Sequence, residues 1–173
     1  MCGIAGLIHR GKSSNVGSEL QQMLQALKHR GPDSTGYALY ADNDGQNFIL
    51  RFKVGENVGE GSSSINEDDS VYDERKKLVD RMLSDLGARI VKENKLTPYS
   101  YRYEMKYDKD LMEFSKKVES IQSVEILSIG KSLELIKDLG DAKEVSDRYE
   151  LEKVSGTHAI GHARMATESG VDI

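Results

Sequence analysis

Hydrophobic and polar residues follow strand and helix periods in turn along the first third of the chain. Residues 3–9 are apolar and β-prone, so they predict a strand. A helix is predicted from Ser18, which begins a capping box and is followed by leucines and a methionine at helical spacing. Its end is predicted near Gly31, because a proline follows this glycine. Residues 35–40 and 48–54 flank a turn of small and acidic residues and predict a β-hairpin.

The middle of the chain is highly charged and predicts a separate module. A linker rich in glycine, serine and acidic residues precedes it between 55 and 64. Helices and strands then alternate in the order α-β-α-β-α, with predicted bounds of 70–94, 99–107, 108–120, 124–129 and 132–139. Beyond this module, residues 157–165 alternate small side chains with larger ones, as a strand with one small-residue face would.

Composition limits the classes of protein that fit. The chain has 173 residues, of which 38% are hydrophobic and 31% charged, with a formal net charge of −5. The acidic balance argues against a nucleic-acid or anionic membrane surface. No apolar stretch reaches the roughly 20 residues of a membrane span, and the N-terminus has no signal-peptide pattern. A single cysteine excludes an internal disulfide, so we expect a cytoplasmic protein.

The only cysteine of the chain, Cys2, stands directly after the initiator methionine. Removal of Met1 would give this residue both a thiol and a free α-amino group, which titrates near about 8. A nucleophile that is activated by its own N-terminal amine is an established catalytic arrangement. Position alone favours a frayed terminus that carries no chemistry, because order is usually poor at chain ends.

Two further motifs bear on that choice. They are His-Arg-Gly-Pro-Asp-Ser-Thr-Gly at 29–36 and Gly-His-Ala-Arg-Met-Ala-Thr at 161–167. With Cys-Gly-Ile-Ala-Gly at 2–6, they resemble the class II glutamine amidotransferases, which have an N-terminal nucleophile. That family hydrolyses the side-chain amide of glutamine and passes the ammonia to a synthase partner. The resemblance covers residues 1–54 and 157–170.

The resemblance implies an α+β fold of the N-terminal-nucleophile hydrolase type, an αββα sandwich that is incomplete in this chain. Residues 1–59 and 157–173 would form the amidotransferase domain, and 60–156 a charged α/β insertion. This arrangement looks most like the stand-alone amidotransferase subunits of archaeal-type glutamate synthase. It implies glutamine as substrate, a flavin-dependent synthase subunit as ammonia acceptor, and no cofactor bound to this chain.

Each motif has an expected role in amide hydrolysis. The Cys2 thiol would attack the glutamine amide carbon, and its own amine would shuttle the proton. Arg164 is the expected ligand of the substrate α-carboxylate, because a guanidinium meets a carboxylate with two parallel hydrogen bonds. The resemblance places Thr167 in the same pocket wall. It also implies that Arg30 and Asp33 support the nucleophile from behind, although a helix stop followed by a Pro-Asp turn uses the same residue types.

Other features of the sequence point to no further chemistry. Gly130-Lys131-Ser132 resembles the end of a phosphate-binding loop, but position 125 holds glutamate where that motif needs glycine. The four histidines and the cysteine do not form pairs at zinc spacing, so no metal is predicted. Gly31 and Gly36 are expected to serve the backbone conformation.

Two parts of the family site are not matched. The family takes its oxyanion donors from an Asn-Gly pair and its ligand for the substrate amine from an acidic residue, and both follow the third motif. We therefore expect a truncated domain, and we predict that the isolated 173-residue chain releases little ammonia from glutamine. Ammonia release at ordinary enzyme rates would contradict this. The alternative is a catalytically incompetent interaction module; an asparagine-synthetase-type partner is a second possibility within the enzyme hypothesis.

Overall fold

The computed structural model describes residues 2–31, 33–42, 45–55 and 69–165, and these residues form an α+β structure. The strands are β1 (Gly3–Ile8), β2 (Ser34–Ala41), β3 (Phe48–Lys53), β4 (Arg89–Lys95), β5 (Ser100–Lys106), β6 (Glu125–Gly130), β7 (Leu133–Leu139) and β8 (Gly156–Arg164). The α-helices are α1 (Val16–Ala26), α2 (Asp69–Leu86), α3 (Leu111–Val118) and α4 (Ala142–Arg148), and there are 3-10 turns at Lys28–Arg30 and Leu151–Lys153. No helix among the described residues is both long and apolar enough to span a bilayer.

The described residues divide into two compact units. Residues 2–31, 33–42 and 132–165 belong to the first unit, and residues 45–55 and 69–131 belong to the second. Each unit contains one four-stranded sheet in which every strand pair is antiparallel. The chain therefore leaves the first unit after β2 and returns to it at β7.

The first unit has the strand order β1-β8-β2-β7, and both of its α-helices cover one face of the sheet. α1 packs over β8 at Gly161, where a Cβ atom would come within 2.5 Å of Leu24 Cδ1. Tyr37 lies opposite Gly161, and its hydroxyl donates to the Ala142 carbonyl of α4 at 2.6 Å. The small side chains of β8 thus lie on one face, as the alternating pattern predicted, and the structure shows that they allow α1 to approach the sheet closely.

The other face of this sheet carries exposed aliphatic side chains. Ile4 and Ile8 are each 70% exposed, and Ile160 is 51% exposed. Gly161 faces α1, and successive side chains of a strand point to opposite faces, so its neighbour Ile160 points away from the helices. Ile4 and Ile8 lie on this same face of β1. An aliphatic face left this open is typical of a surface that packs against further protein.

The second unit follows the order β3-α2-β4-β5-α3-β6 along the chain, with the sheet order β4-β5-β3-β6. This is the β-α-β-β-α-β arrangement of ferredoxin-like folds. One face of its sheet shares a hydrophobic core with α2 and α3. The fully buried members of this core include Leu50, Phe52, Val79, Leu83, Tyr101, Tyr103 and Phe114. The predicted α-β-α-β-α order of the middle segment is therefore wrong, since the observed order of the second unit is β-α-β-β-α-β.

The hairpin predicted from 35–40 and 48–54 is wrong. β2 pairs with β7 and β8, whereas β3 pairs with β5 and β6 in the other unit. The division into units consequently does not coincide with the boundaries predicted at 59/60 and 156/157. A turn signal between two apolar stretches favours a hairpin locally, but these strands pair with partners about 50 to 130 residues away in the sequence.

The helix predicted over 132–139 is also wrong, because this segment is β7. Its alternation was obscured by two acidic residues on the helix-covered face, Glu134 and Asp138, both of which are buried. Asp138 is tolerated there because the Tyr149 hydroxyl donates to it at 2.8 Å and the Arg148 guanidinium pairs with it at 3.0 Å. A buried carboxylate with two such partners can occupy an interior strand position.

Helix ends differ from the predicted ones for local reasons. α2 stops at Leu86 rather than near 94, since Gly87 adopts a φ of +86° and reverses the backbone. α1 begins at Val16, because the side chain of Asn15 accepts from the Ser18 amide at 3.1 Å and caps the helix before Ser18.

Candidate functional site

Cys2 and Arg164 lie at the same end of the first sheet. The β1–β8 register ends with Gly3 opposite Ala163, so its continuation by one position sets Cys2 opposite Arg164. Cys2 is exposed, and Arg164 is half-buried and paired with Ser34 of β2. Directly opposite residues of antiparallel strands share a face. The geometry thus directs the predicted nucleophile and the predicted carboxylate ligand to one corner.

The turn that carries Arg30 and Asp33 packs against the same corner. Arg30 ends the 3-10 turn that follows α1, and its Cβ lies 3.7 Å from the position a Cβ of Gly3 would take. The Asp33 amide donates to the Arg164 carbonyl at 3.2 Å. The structure therefore brings Cys2, Arg30, Asp33 and Arg164 together. Thr167 lies outside the described residues.

Gly31 permits this packing through its lack of a side chain. Its φ of −173° is ordinary extended backbone, so this glycine does not adopt the left-handed conformation that often ends a helix. A Cβ at Gly31 would instead lie 2.4 Å from the Ala163 carbonyl carbon and 2.5 Å from the Arg164 nitrogen. At Gly36, by contrast, the nearest atom to such a Cβ would be 3.8 Å away, which is an ordinary contact.

The residues that connect β7 to α4 also contact the turn that carries Arg30 and Asp33. The Gly140 amide donates to the Asp33 carbonyl at 2.9 Å, and the Thr35 hydroxyl donates to the Gly140 carbonyl at 2.9 Å. Asp141, which is almost fully buried, pairs with the Lys28 ammonium at 2.6 Å. The sequence reasoning missed Lys28 and Asp141. The sequence does contain a signal for Asp141, because Asp141-Ala-Lys-Glu144 is a capping box that starts α4. It was overlooked because a helix was wrongly predicted over 132–139, directly before it.

The electrostatics of the corner are consistent with a fixed ion pair. Burial by itself would raise the pKa of Asp141, but hydrogen bonds from Lys28 and from the Glu144 and Lys143 amides outweigh burial and hold the pKa below its ordinary value. The same hydrogen bond with Asp141 raises the pKa of Lys28. Both groups are therefore charged at neutral pH.

The histidines do not assemble into a metal site in the described part of the chain. His162 pairs in register with Ile4, and His158 stacks on Tyr40 with ring centroids 3.8 Å apart. His9 contacts Glu19 at 2.9 Å near the start of α1. Among the described residues, no three histidine, cysteine or acidic side chains lie close enough together to hold a metal ion.

Comparison with known proteins relates the chain to the glutamine amidotransferase family. Residues 1–49 match the sequence model of the glutamine amidotransferase domain. The chain is 36% identical over 181 residues to a protein of Methanothermobacter thermautotrophicus named as a candidate glutamine amidotransferase, with 99% of this chain and 54% of the relative covered. It is 28% identical over 176 residues to the glutamine amidotransferase-like protein GlxB of Rhizobium meliloti, covering 99% of this chain and 52% of that protein. The chain thus spans about half the length of these curated relatives.

Proposed function

We propose that this protein hydrolyses the side-chain amide of glutamine, with Cys2 as the N-terminal nucleophile. The observation that carries the proposal is the register of β1 and β8, which sets Cys2 opposite Arg164 at the sheet end where Arg30 and Asp33 also pack. Three stretches that are far apart in sequence converge there. Their convergence supports a site that holds a nucleophile beside a carboxylate ligand.

In the proposed reaction, the Cys2 sulfur attacks the amide carbon of glutamine and its thiol proton passes to its own α-amine. That amine returns the proton to the departing nitrogen, so ammonia leaves and a γ-glutamyl thioester is formed. Water then cleaves the thioester, which yields glutamate and restores the thiol. Removal of Met1 is required, since only then is the α-amine that of Cys2.

Arg164 is proposed to hold the substrate α-carboxylate with its planar guanidinium, and Thr167 to line the same pocket. Cys2 is exposed and Arg164 is half-buried, so a small polar substrate can approach both residues from solvent. Arg30 and Asp33 are proposed to fix the position of the nucleophile and of Arg164. The hydrogen bond from the Asp33 amide to the Arg164 carbonyl supports that positioning role.

We also propose that the first unit is one side of an αββα sandwich. Its helix-free face exposes Ile4, Ile8 and Ile160, and such a face would pack against a second sheet. The ammonia acceptor is proposed to be a synthase subunit, flavin-dependent as in glutamate synthase. That proposal depends on the family resemblance of the three motifs alone.

Arg164→Gln is expected to raise the half-saturating concentration of glutamine-like molecules by about 10- to 100-fold, because it removes a charge-assisted pair of hydrogen bonds. The measurement is the concentration dependence of Cys2 labelling by an electrophilic diazo-ketone analogue of glutamine. Mass spectrometry would first confirm that Met1 has been removed. Arg164→Lys should fall between the wild type and Arg164→Gln, because an ammonium keeps the charge but loses the planar geometry.

The control for this experiment is Arg10→Gln, which removes an exposed cation just beyond the other end of β1. It should leave labelling unchanged. Iodoacetamide, which has no α-carboxylate, should label Cys2 equally in all the variants. Equal labelling of wild type and Arg164→Gln by the glutamine analogue would refute the role of Arg164, and a wild-type chain that does not react with the analogue would refute the proposed function.

A further inference from the structure

Asp141 divides its two carboxylate oxygens between two tasks. Its Oδ1 accepts from the Lys143 and Glu144 amides at 2.9 and 3.0 Å, which caps the start of α4. Its Oδ2 accepts from the Lys28 ammonium at 2.6 Å. The first task concerns α4 alone, whereas the second reaches the turn that leads to Arg30.

The neighbouring backbone adds a second attachment to the same loop. Gly140 donates to the Asp33 carbonyl at 2.9 Å, and Asp33 in turn donates to the Arg164 carbonyl at 3.2 Å. The loop between α1 and β2 is thus held near both of its ends, by Asp141 at Lys28 and by Gly140 at Asp33. Beneath it, Gly31 packs on the backbone between Ala163 and Arg164. Movement of the loop away from the Gly140–Asp141 corner would loosen its contact with the end of β8.

We propose that Asp141, through its ion pair with Lys28, is a positioning residue of the glutamine site: it holds the 28–33 turn against β8 and so fixes where Arg164 meets the substrate. The proposal rests on the proposed function for its substrate. The Lys28 side chain is 52% exposed and that of Asp141 is 9% exposed, so a solvent-facing ammonium pairs with a carboxylate that is almost buried. Neither residue touches the reacting atoms in this role.

The two oxygens of Asp141 make a separation of its tasks possible. Asp141→Asn keeps a carbonyl oxygen that can cap α4, since asparagine caps helices about as well as aspartate. It removes the charge that binds Lys28. Lys28→Met removes the same ion pair from the other side without touching the cap, and Lys28→Arg restores the positive charge.

The test combines amide hydrogen exchange with Cys2 labelling by the diazo-ketone analogue of glutamine. Asp141→Asn and Lys28→Met should each speed the exchange of the Asp33 and Gly140 amides by roughly twofold to fivefold, and raise the half-saturating analogue concentration by a similar factor. Iodoacetamide labelling should not change, because the thiol itself is untouched. The double variant should be no worse than either single variant, and Lys28→Arg should stay close to the wild type.

The matched control is another ion pair of the same length, between Lys143 and Asp147 at 2.6 Å on the exposed side of α4. Lys143→Gln and Asp147→Asn should change neither exchange at Asp33 nor labelling. Unchanged exchange in Asp141→Asn, or faster exchange with unchanged labelling by the analogue, would overturn the positioning role. A wild-type chain that the analogue fails to label contradicts the proposed function instead, and the exchange rates then show separately whether the ion pair holds the turn.

Discussion

Replacing Cys2 with alanine is expected to abolish covalent labelling by the diazo-ketone analogue of glutamine. Cys2 is the only cysteine of the chain, so no second thiol can take its place. Its exposure at the start of β1 leaves the sulfur accessible to reagents. Cys2→Ser keeps the α-amine but offers a hydroxyl, which is a far weaker nucleophile at neutral pH, and we expect its labelling to fall at least about a thousandfold.

A second variant separates the thiol from the amine. One additional alanine between Met1 and Cys2 leaves the thiol in place after Met1 is removed, but the free α-amine then belongs to the alanine. Loss of a positioned general base typically costs about 10²- to 10⁴-fold, so labelling by the analogue should fall by that order. Labelling by iodoacetamide should persist in this variant and disappear in Cys2→Ala. Undiminished labelling by the analogue in the extended variant would contradict catalysis by the N-terminal amine.

The sequence motifs anticipated which residues converge better than the sequence pattern anticipated the fold that carries them. The three motifs identified Cys2, Arg30, Asp33 and Arg164, and the described structure brings these four residues to one corner of a sheet. Periodicity alone could not have done this, because the β1–β8 pairing joins residues about 150 positions apart. The motif resemblance supplied that long-range information.

The fold predictions failed where the deciding contacts were distant or polar. β3 lies in a different unit from β2 despite the turn signal between them, since its partners are β5 and β6. β7 was mistaken for a helix because Asp138 sits on its buried face, where Tyr149 and Arg148 satisfy it. A local pattern carries no signal for such partners. The role of Asp141 was missed for the same reason, as Lys28 lies over one hundred residues before it.

Gly31→Ala, which adds a single methyl group, is expected to lower the stability of the site region more than the same change at Gly36. The new Cβ would lie 2.4 to 2.5 Å from three backbone atoms of Ala163 and Arg164, and backbone cannot rotate out of the way as a side chain can. Overpacking of this kind costs about 1–3 kcal/mol, and we expect the upper part of that range because the clash is with a paired strand. For a chain of this size, that is a fall in Tm of about 5–10 °C.

Gly36→Ala, in the same motif, is the matched control, since its nearest neighbour would be the Ile136 carbonyl oxygen at an ordinary 3.8 Å. Alanine also loses less backbone entropy than glycine in a strand, so this variant should be neutral or more stable by up to about 1 kcal/mol. Thermal unfolding of the two variants shows whether the motif needs glycine because a Cβ atom would clash or because of the backbone angles. Equal losses at both positions would mean that the motif needs glycine for its backbone angles. A loss at Gly31 alone, accompanied by weaker labelling of Cys2 by the glutamine analogue, would mean that the turn must lie directly on β8 for Arg164 to reach the substrate.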